Sequence, residues 1–143
     1  MLDDKLQWIR DRFEGVWQLK RSIKDFTGAS DGHFKGQARL WRSLDGLAYH
    51  EEGMLSLGDA GALKAERKYF WQIQVPARVE VYFEDGRFFH AFNPNESHWQ
   101  AEHLCAPDHY RVAYEFFGNA QWQTVWDVTG PWKSCRMTSN YSR

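Results

Sequence analysis

The stretch Arg12-Phe13-Glu14-Gly15-Val16-Trp17-Gln18-Leu19-Lys20 is where the chain changes its period. Before it, Leu2, Leu6, Ile9 and Phe13 recur at helical spacing, with Asp3, Asp4, Lys5 and Arg12 elsewhere on the wheel. That pattern predicts a short amphipathic helix over 2–12, with Asp3 or Asp4 near its N-cap. Gly15 ends the helix or turns the chain. After it, Trp17, Leu19, Arg21 and Ile23 alternate with Gln18, Lys20, Ser22 and Lys24. A period of two marks a strand with one buried face.

The alternation continues to the C-terminus. Phe34, Gly36, Ala38 and Leu40 alternate with Lys35, Gln37 and Arg39, and further strands are predicted over 47–57, 65–73, 78–84, 87–92, 98–105, 109–117, 121–129 and 133–141. Turn signals lie between them, and Asp85-Gly86 between two aromatic runs is the clearest hairpin. No helix-length insert, repeat or linker interrupts the series. The chain therefore reads as one domain over 1–143, a helical segment 1–12 followed by a barrel 13–143. The expected fold class is all-β, an up-and-down antiparallel barrel of about 8–10 strands, which removes exposed sheet edges. A two-sheet sandwich is the alternative, because periodicity alone does not reveal closure.

Composition narrows the function classes. At 143 residues the chain can bury roughly two thirds of its unfolded surface. A formal net charge of −1 offers no basic field for nucleic acid or an anionic membrane. No apolar run is long enough to span a bilayer, and the acidic N-terminus lacks a signal core, so a cytoplasmic protein is expected. Cys105 and Cys135 are too few and too far apart for a disulfide framework or a paired-cysteine zinc site. The unusual feature is aromatic content, 17% with eight Trp; large rings fill curved sheets and also line ligand pockets.

Phe13-x-Gly15-x-Trp17-x-Leu19 resembles the opening motif of calycins, the lipocalins and intracellular fatty-acid-binding proteins. In those proteins the Gly-x-Trp begins the first strand, and the Trp closes the barrel floor against a basic residue from a late strand. Further landmarks resemble a lipocalin-like bacterial family of unknown function. They include Tyr49-x-Glu51-x-Gly53, Arg67-x-Tyr69, Phe83-x-Asp85-Gly86-Arg87-x-Phe89-His90 and His103-x-Cys105-x-x-Asp108-x-Tyr110. The closing part is Trp126-x-Val128-x-Gly130-Pro131-x-Lys133, then Tyr141-x-Arg143. The resemblance implies a calycin-type barrel and no particular activity. It assigns structural roles to Gly15, Trp17, Trp126 and Gly130. The 25–32 link is too short for the helical pair of a fatty-acid portal, and no late-strand His of the haem-binding sort is present.

With Trp17 pointing inward as the resemblance implies, alternation carries that direction along each strand. Arg21 falls inside with Trp17 and Leu19, Tyr49 and Glu51 with Gly53, and Arg67 and Tyr69 with Trp71. His90 goes with Phe88 and Phe92, His103 with Cys105, and Tyr110 and Tyr114 with Val112 and Phe116. A bulge would invert any of these. The ligand-binding candidates are thus Arg21, Tyr49, Glu51, Arg67, Tyr69, Trp71, His90, His103, Tyr110 and Tyr114. A buried Arg or Glu needs a partner, either a structural network or a ligand's polar group.

Two functions follow. The first is an intracellular barrel binding a small, partly apolar ligand with a polar or anionic end, an inward Arg supplying the forked donor. The alternative is a cofactor-independent isomerase, cyclase or hydrolase, with His90, His103 or Glu51 moving a proton and Tyr or Arg polarising a carbonyl. Cys105 beside His103 lacks a third orienting group for nucleophilic chemistry. No metal and no cofactor is expected: no phosphate-binding glycine loop, dinucleotide fingerprint or nucleophile elbow occurs, and His98 and His103 lie on opposite faces of one strand. Expected partners are a small molecule, neither nucleic acid nor membrane, and a second copy of the chain that the rings of Trp41, Phe70, Trp99 and Trp132 could meet.

Overall fold

A computed structural model describes residues 2–74 and 76–143, without the side chains of Leu2, Asp3 and Lys5. Helix α1 (Leu2–Phe13) precedes ten strands: β1 (Gly15–Asp25), β2 (Gly32–Ser43), β3 (Gly46–Leu57), β4 (Leu63–Gln74), β5 (Arg78–Phe83), β6 (Phe88–Phe92), β7 (His98–Cys105), β8 (Asp108–Phe116), β9 (Gln121–Thr129) and β10 (Ser134–Ser142). The helix starts at Leu2, so Asp4 sits inside its first turn; the side chain of Asp3, the other expected cap, lies outside the described residues.

All ten strands form one antiparallel sheet in the order β6-β5-β4-β3-β2-β1-β10-β9-β8-β7. Apart from β6 and β7, strands adjacent in sequence pair with each other, and β1 pairs with β10, so the sheet is a nearly closed up-and-down barrel. The seam lies between β6 and β7, which have no ladder. Side chains and turns cover it. The Trp99 indole N–H donates to the Ala91 carbonyl at 3.2 Å, and Arg12 Nη1 donates to the Pro94 carbonyl at 3.1 Å. Trp99 is therefore a seam residue packed against the core, not an outward ring free for a partner. Trp132, by contrast, is 82% exposed.

The opening stretch builds the floor. Ile9 and Phe13 are fully buried, and the Phe13 ring meets Trp71 edge-on at 5.3 Å and Trp122 at 5.8 Å. Gly15 has φ of +123°, a conformation that costs L side chains dearly, and it turns the helix into β1. Trp17 then inserts inward, and its indole N–H donates back to the Phe13 carbonyl at 2.9 Å. The Arg143 guanidinium lies over the Trp17 ring at 4.0 Å and donates to the carbonyls of Arg12 and Glu14. A late basic residue on the floor Trp is what the resemblance implied.

Alternation holds along most strands, with one correction. In β6 the register slips: Val81 pairs with His90 but Tyr82 pairs with Phe88, so Phe89 is the extra residue of a bulge. Phe88 consequently points outward, 46% exposed, while Phe89 and His90 are both buried. Phe88 does not share the inner face with His90 as the unbroken period predicts.

Candidate functional site

Above the floor, the barrel interior has a closed layer and an open one. Arg21 on β1 faces Glu51 on β3 across β2, and the two form a forked pair, Nη1–Oε2 at 2.6 Å and Nη2–Oε1 at 2.9 Å. Arg21 Nε donates to Ser139 Oγ at 2.6 Å, and the guanidinium lies over the Phe34 ring at 5.3 Å. Tyr49 donates its hydroxyl hydrogen to Glu51 Oε1 at 2.6 Å, and its hydroxyl also bonds that of Tyr141 at 2.8 Å. Burial alone would raise the Glu51 carboxyl, but the Arg21 fork and the Tyr49 hydroxyl outweigh it and hold the group below its usual range. Burial also pushes the Tyr141 phenol up to about 12. All three guanidinium nitrogens of Arg21 are engaged. The charges compensate each other, so the pair stands as a structural network.

Next to this network lies an inner cavity of about 50 Å³, bounded by Glu51, Trp71, His90, Tyr114, Trp122 and Thr124 among others. His90 is 3% exposed; its Nε2 bonds the Tyr114 hydroxyl at 2.6 Å, and its Nδ1 has no protein partner. Burial, with a smaller contribution from His103, lowers the His90 pKa to about 3, so the ring is neutral at ordinary pH. The indole nitrogen of Trp122 is likewise buried without a protein partner.

Toward the end opposite the floor lies a larger chamber of about 450 Å³. Phe89 and Trp126 stack at 4.8 Å and line both spaces, which therefore adjoin along these rings. Phe83 stacks on Phe89 at 4.3 Å, and His103 stands edge-on to it at 5.2 Å. Three cations line this mouth: Arg67, Arg87 and Lys133. Arg87 pairs with Asp85 at 2.7 Å and Lys133 with Asp108 at 3.4 Å. Asp108 also lies so close to Gly130 that a Cβ there would meet its Oδ1 at 2.0 Å, which explains glycine in the last turn. Burial raises the Tyr69 phenol while the nearby Arg67 charge pulls it down, and among the described residues Arg67 has no carboxylate within ion-pair range.

All ten ligand-binding candidates line one of these two spaces. Arg21, Tyr49, Glu51, Trp71, His90 and Tyr114 border the inner one; His103 and Tyr110 border the mouth; Arg67 and Tyr69 border both. Sequence reasoning missed Phe89 and Arg87, because the unbroken period over 87–92 puts both opposite His90, and it missed Lys133, the first residue of the strand predicted over 133–141. Of the three proton-carrier candidates, Glu51 and His90 are held in fixed protonation states, and His103 opens on the mouth. Cys105 is exposed beside it, and among the described residues no hydrogen bond joins the two. The one described group with metal-ligand spacing, His50, Glu52 and Glu66, has its ligand atoms within 4.8 Å of one another. Its residues alternate with the inward Glu51 and Arg67, which puts it on the outer face. No described helix is long and apolar enough to cross a membrane.

Among solved structures, the fold is similar to the S-type phycobiliprotein lyase CPES from Guillardia theta, with a TM-score of 0.70 at 8% identity over 97% of this chain and 92% of that one. A redesigned β-barrel, b11L5F_LGL, matches at TM-score 0.45 and 12% identity, over 93% of this chain and 92% of that one. EF1p2_mFAP2b bound to DFHBI matches at 0.47 and 8%, over 100% and 99%. At such identities the likeness is one of fold. No curated protein sequence matches the chain. The floor motif, the strand series and the closing Tyr141-x-Arg143 all lie within residues 13–143, and over that span the chain belongs to the family described as Family of unknown function (DUF6314).

Proposed function

We propose that this barrel binds a small, partly apolar ligand with an anionic end, its apolar body in the mouth chamber and its anion on Arg67. The observation that carries the reading is Arg67 itself, a guanidinium on the wall of an aromatic chamber of about 450 Å³ with no carboxylate of its own. That volume lies in the range of small-molecule sites, about 300–1,000 Å³. Phe83, Phe89 and Trp126 offer flat apolar faces, and a planar guanidinium matches a carboxylate with two parallel hydrogen bonds. Arg87 and Lys133 add no negative potential at the rim, because each is only neutralised by its aspartate.

Trp126 borders the chamber and supplies a fluorescence reporter. Titration with aromatic and medium-chain carboxylates, each beside its neutral amide, tests the reading. Acids should bind at least ~10-fold tighter than amides, worth about 1.4 kcal/mol, and Arg67→Ala should erase that preference. Equal binding of acid and amide, or no saturable response from any probe, would overturn it. The catalytic alternative is weaker here, since two of its three proton carriers are fixed in one state.

A further inference from the structure

The inner cavity carries an inference that the mouth alone does not. It is small, about 50 Å³, yet two of the side chains that line it, His90 and Trp122, each carry a buried polar atom, Nδ1 and Nε1, with no protein partner among the described residues. Both side chains are almost wholly buried, at 3% exposure each. An unpaired buried polar group costs about 1–3 kcal/mol, so two on one cavity call for a group that satisfies them. The volume exceeds the roughly 10–15 Å³ that one water needs, so the tip of a ligand fits there.

The two atoms restrict that tip chemically. Trp122 Nε1 can only donate, so the tip must accept a hydrogen bond. His90 Nδ1 takes either role, according to whether Nε2 donates to or accepts from the Tyr114 hydroxyl. A hydroxyl or carbonyl oxygen meets both demands. A second anion does not belong there, because Arg21 is already matched by Glu51, Arg67, which borders both spaces, is taken by the carboxylate in the mouth, and the neutral imidazole brings no charge. The shared wall of Phe89 and Trp126 sets the geometry: a flat body held against those rings has one end toward Arg67 and the other toward His90.

We infer that the inner cavity is a second subsite that takes an uncharged hydroxyl or carbonyl tip on His90 and Trp122, so that the ligand class is a hydroxy- or oxo-substituted aromatic or apolar carboxylate bound hydroxyl-first. This rests on the mouth reading above, and the test separates the two. The probes are matched pairs: 3-(4-hydroxyphenyl)propanoate with 3-phenylpropanoate, and 4′-hydroxybiphenyl-4-carboxylate with biphenyl-4-carboxylate. Dissociation constants are measured by Trp fluorescence and calorimetry. In the wild-type chain the hydroxylated member of at least one pair should bind ~5- to 20-fold tighter. In His90→Phe and Trp122→Phe, each checked for a cooperative melt, that ratio should fall to about one. Acids that bind without any hydroxyl preference would overturn the subsite while leaving the mouth reading standing. A preference that persists in both folded variants would also overturn it, because the discrimination would then lie elsewhere. Failure of every carboxylate to bind would remove both readings together. A wild-type ratio of about one overturns the subsite whether or not the variants fold.

Discussion

Arg21 and Arg67 both belong to the inward face of the same barrel, and they meet opposite circumstances. Arg21 is buried between Glu51, Ser139 and the Phe34 ring, with all three of its guanidinium nitrogens engaged. Arg67 stands at the mouth with the Tyr69 hydroxyl beside it and no carboxylate. The difference teaches that an inward arginine is not by itself a ligand site. What matters is whether the chain has already supplied its counter-charge.

The strongest way to break this contrast is to remove one half of the closed pair. Arg21→Met should leave Glu51 buried and uncompensated, at a cost of roughly 3–5 kcal/mol in urea unfolding. The double substitution Arg21→Met with Glu51→Leu should recover most of that loss, since neither charge is then stranded. A single variant within about 1 kcal/mol of wild type would mean the network is not structural.

A smaller effect comes from His90. Its folded pKa, about 3, lies below the ordinary 6.5, so the unfolded chain binds the proton more tightly. Stability from the neutral ring is therefore full above pH 6.5 and declines as pH falls toward 3. Between pH 7 and pH 5 the decline should be about 2 kcal/mol, and His90→Phe should flatten that part of the profile. Glu51 acts in a lower window: its depressed pKa contributes stability above the unfolded value of 4.5, lost as pH drops further. A wild-type profile already flat from pH 7 to 5 would contradict the burial of a neutral imidazole.

The smallest expected effect sharpens the comparison from the other side. Arg67→Gln should change unfolding free energy by no more than about 1 kcal/mol, because no carboxylate among the described residues lies within ion-pair range of it and its effect on the buried Glu51 is smaller than that of the Arg21 fork. A loss of several kcal/mol would put Arg67 in the same structural class as Arg21 and withdraw it as the anion site.

Much of the architecture is legible in the residues. The switch from helical spacing to alternation at Gly15 marks the start of β1, and the predicted strands over 98–105 and 121–129 coincide with β7 and β9. Trp17 as floor is what the resemblance implies, and with that direction Arg21, Glu51 and Tyr49 as inward groups follow from alternation, because side-chain direction in a strand is set by local backbone geometry. That is why a period read from neighbours a few residues apart can assign faces.

Three matters were decided only in three dimensions. The bulge at Phe89 turns Phe88 outward, because one extra residue in β6 is set by its register against β5 and not by its own pattern. The seam between β6 and β7 is sealed by Trp99, which alternation alone could not tell from an outer ring. The partnering of Arg21 with Glu51, and the absence of such a partner for Arg67, depends on strands far apart in sequence closing to hydrogen-bond distance. The sequence by itself determined which side chains enter the barrel, since that is a local property of each strand. Closure decided which of them neutralise one another and which remain for a ligand, since charge pairing is settled by distances that exist only once the sheet has curled.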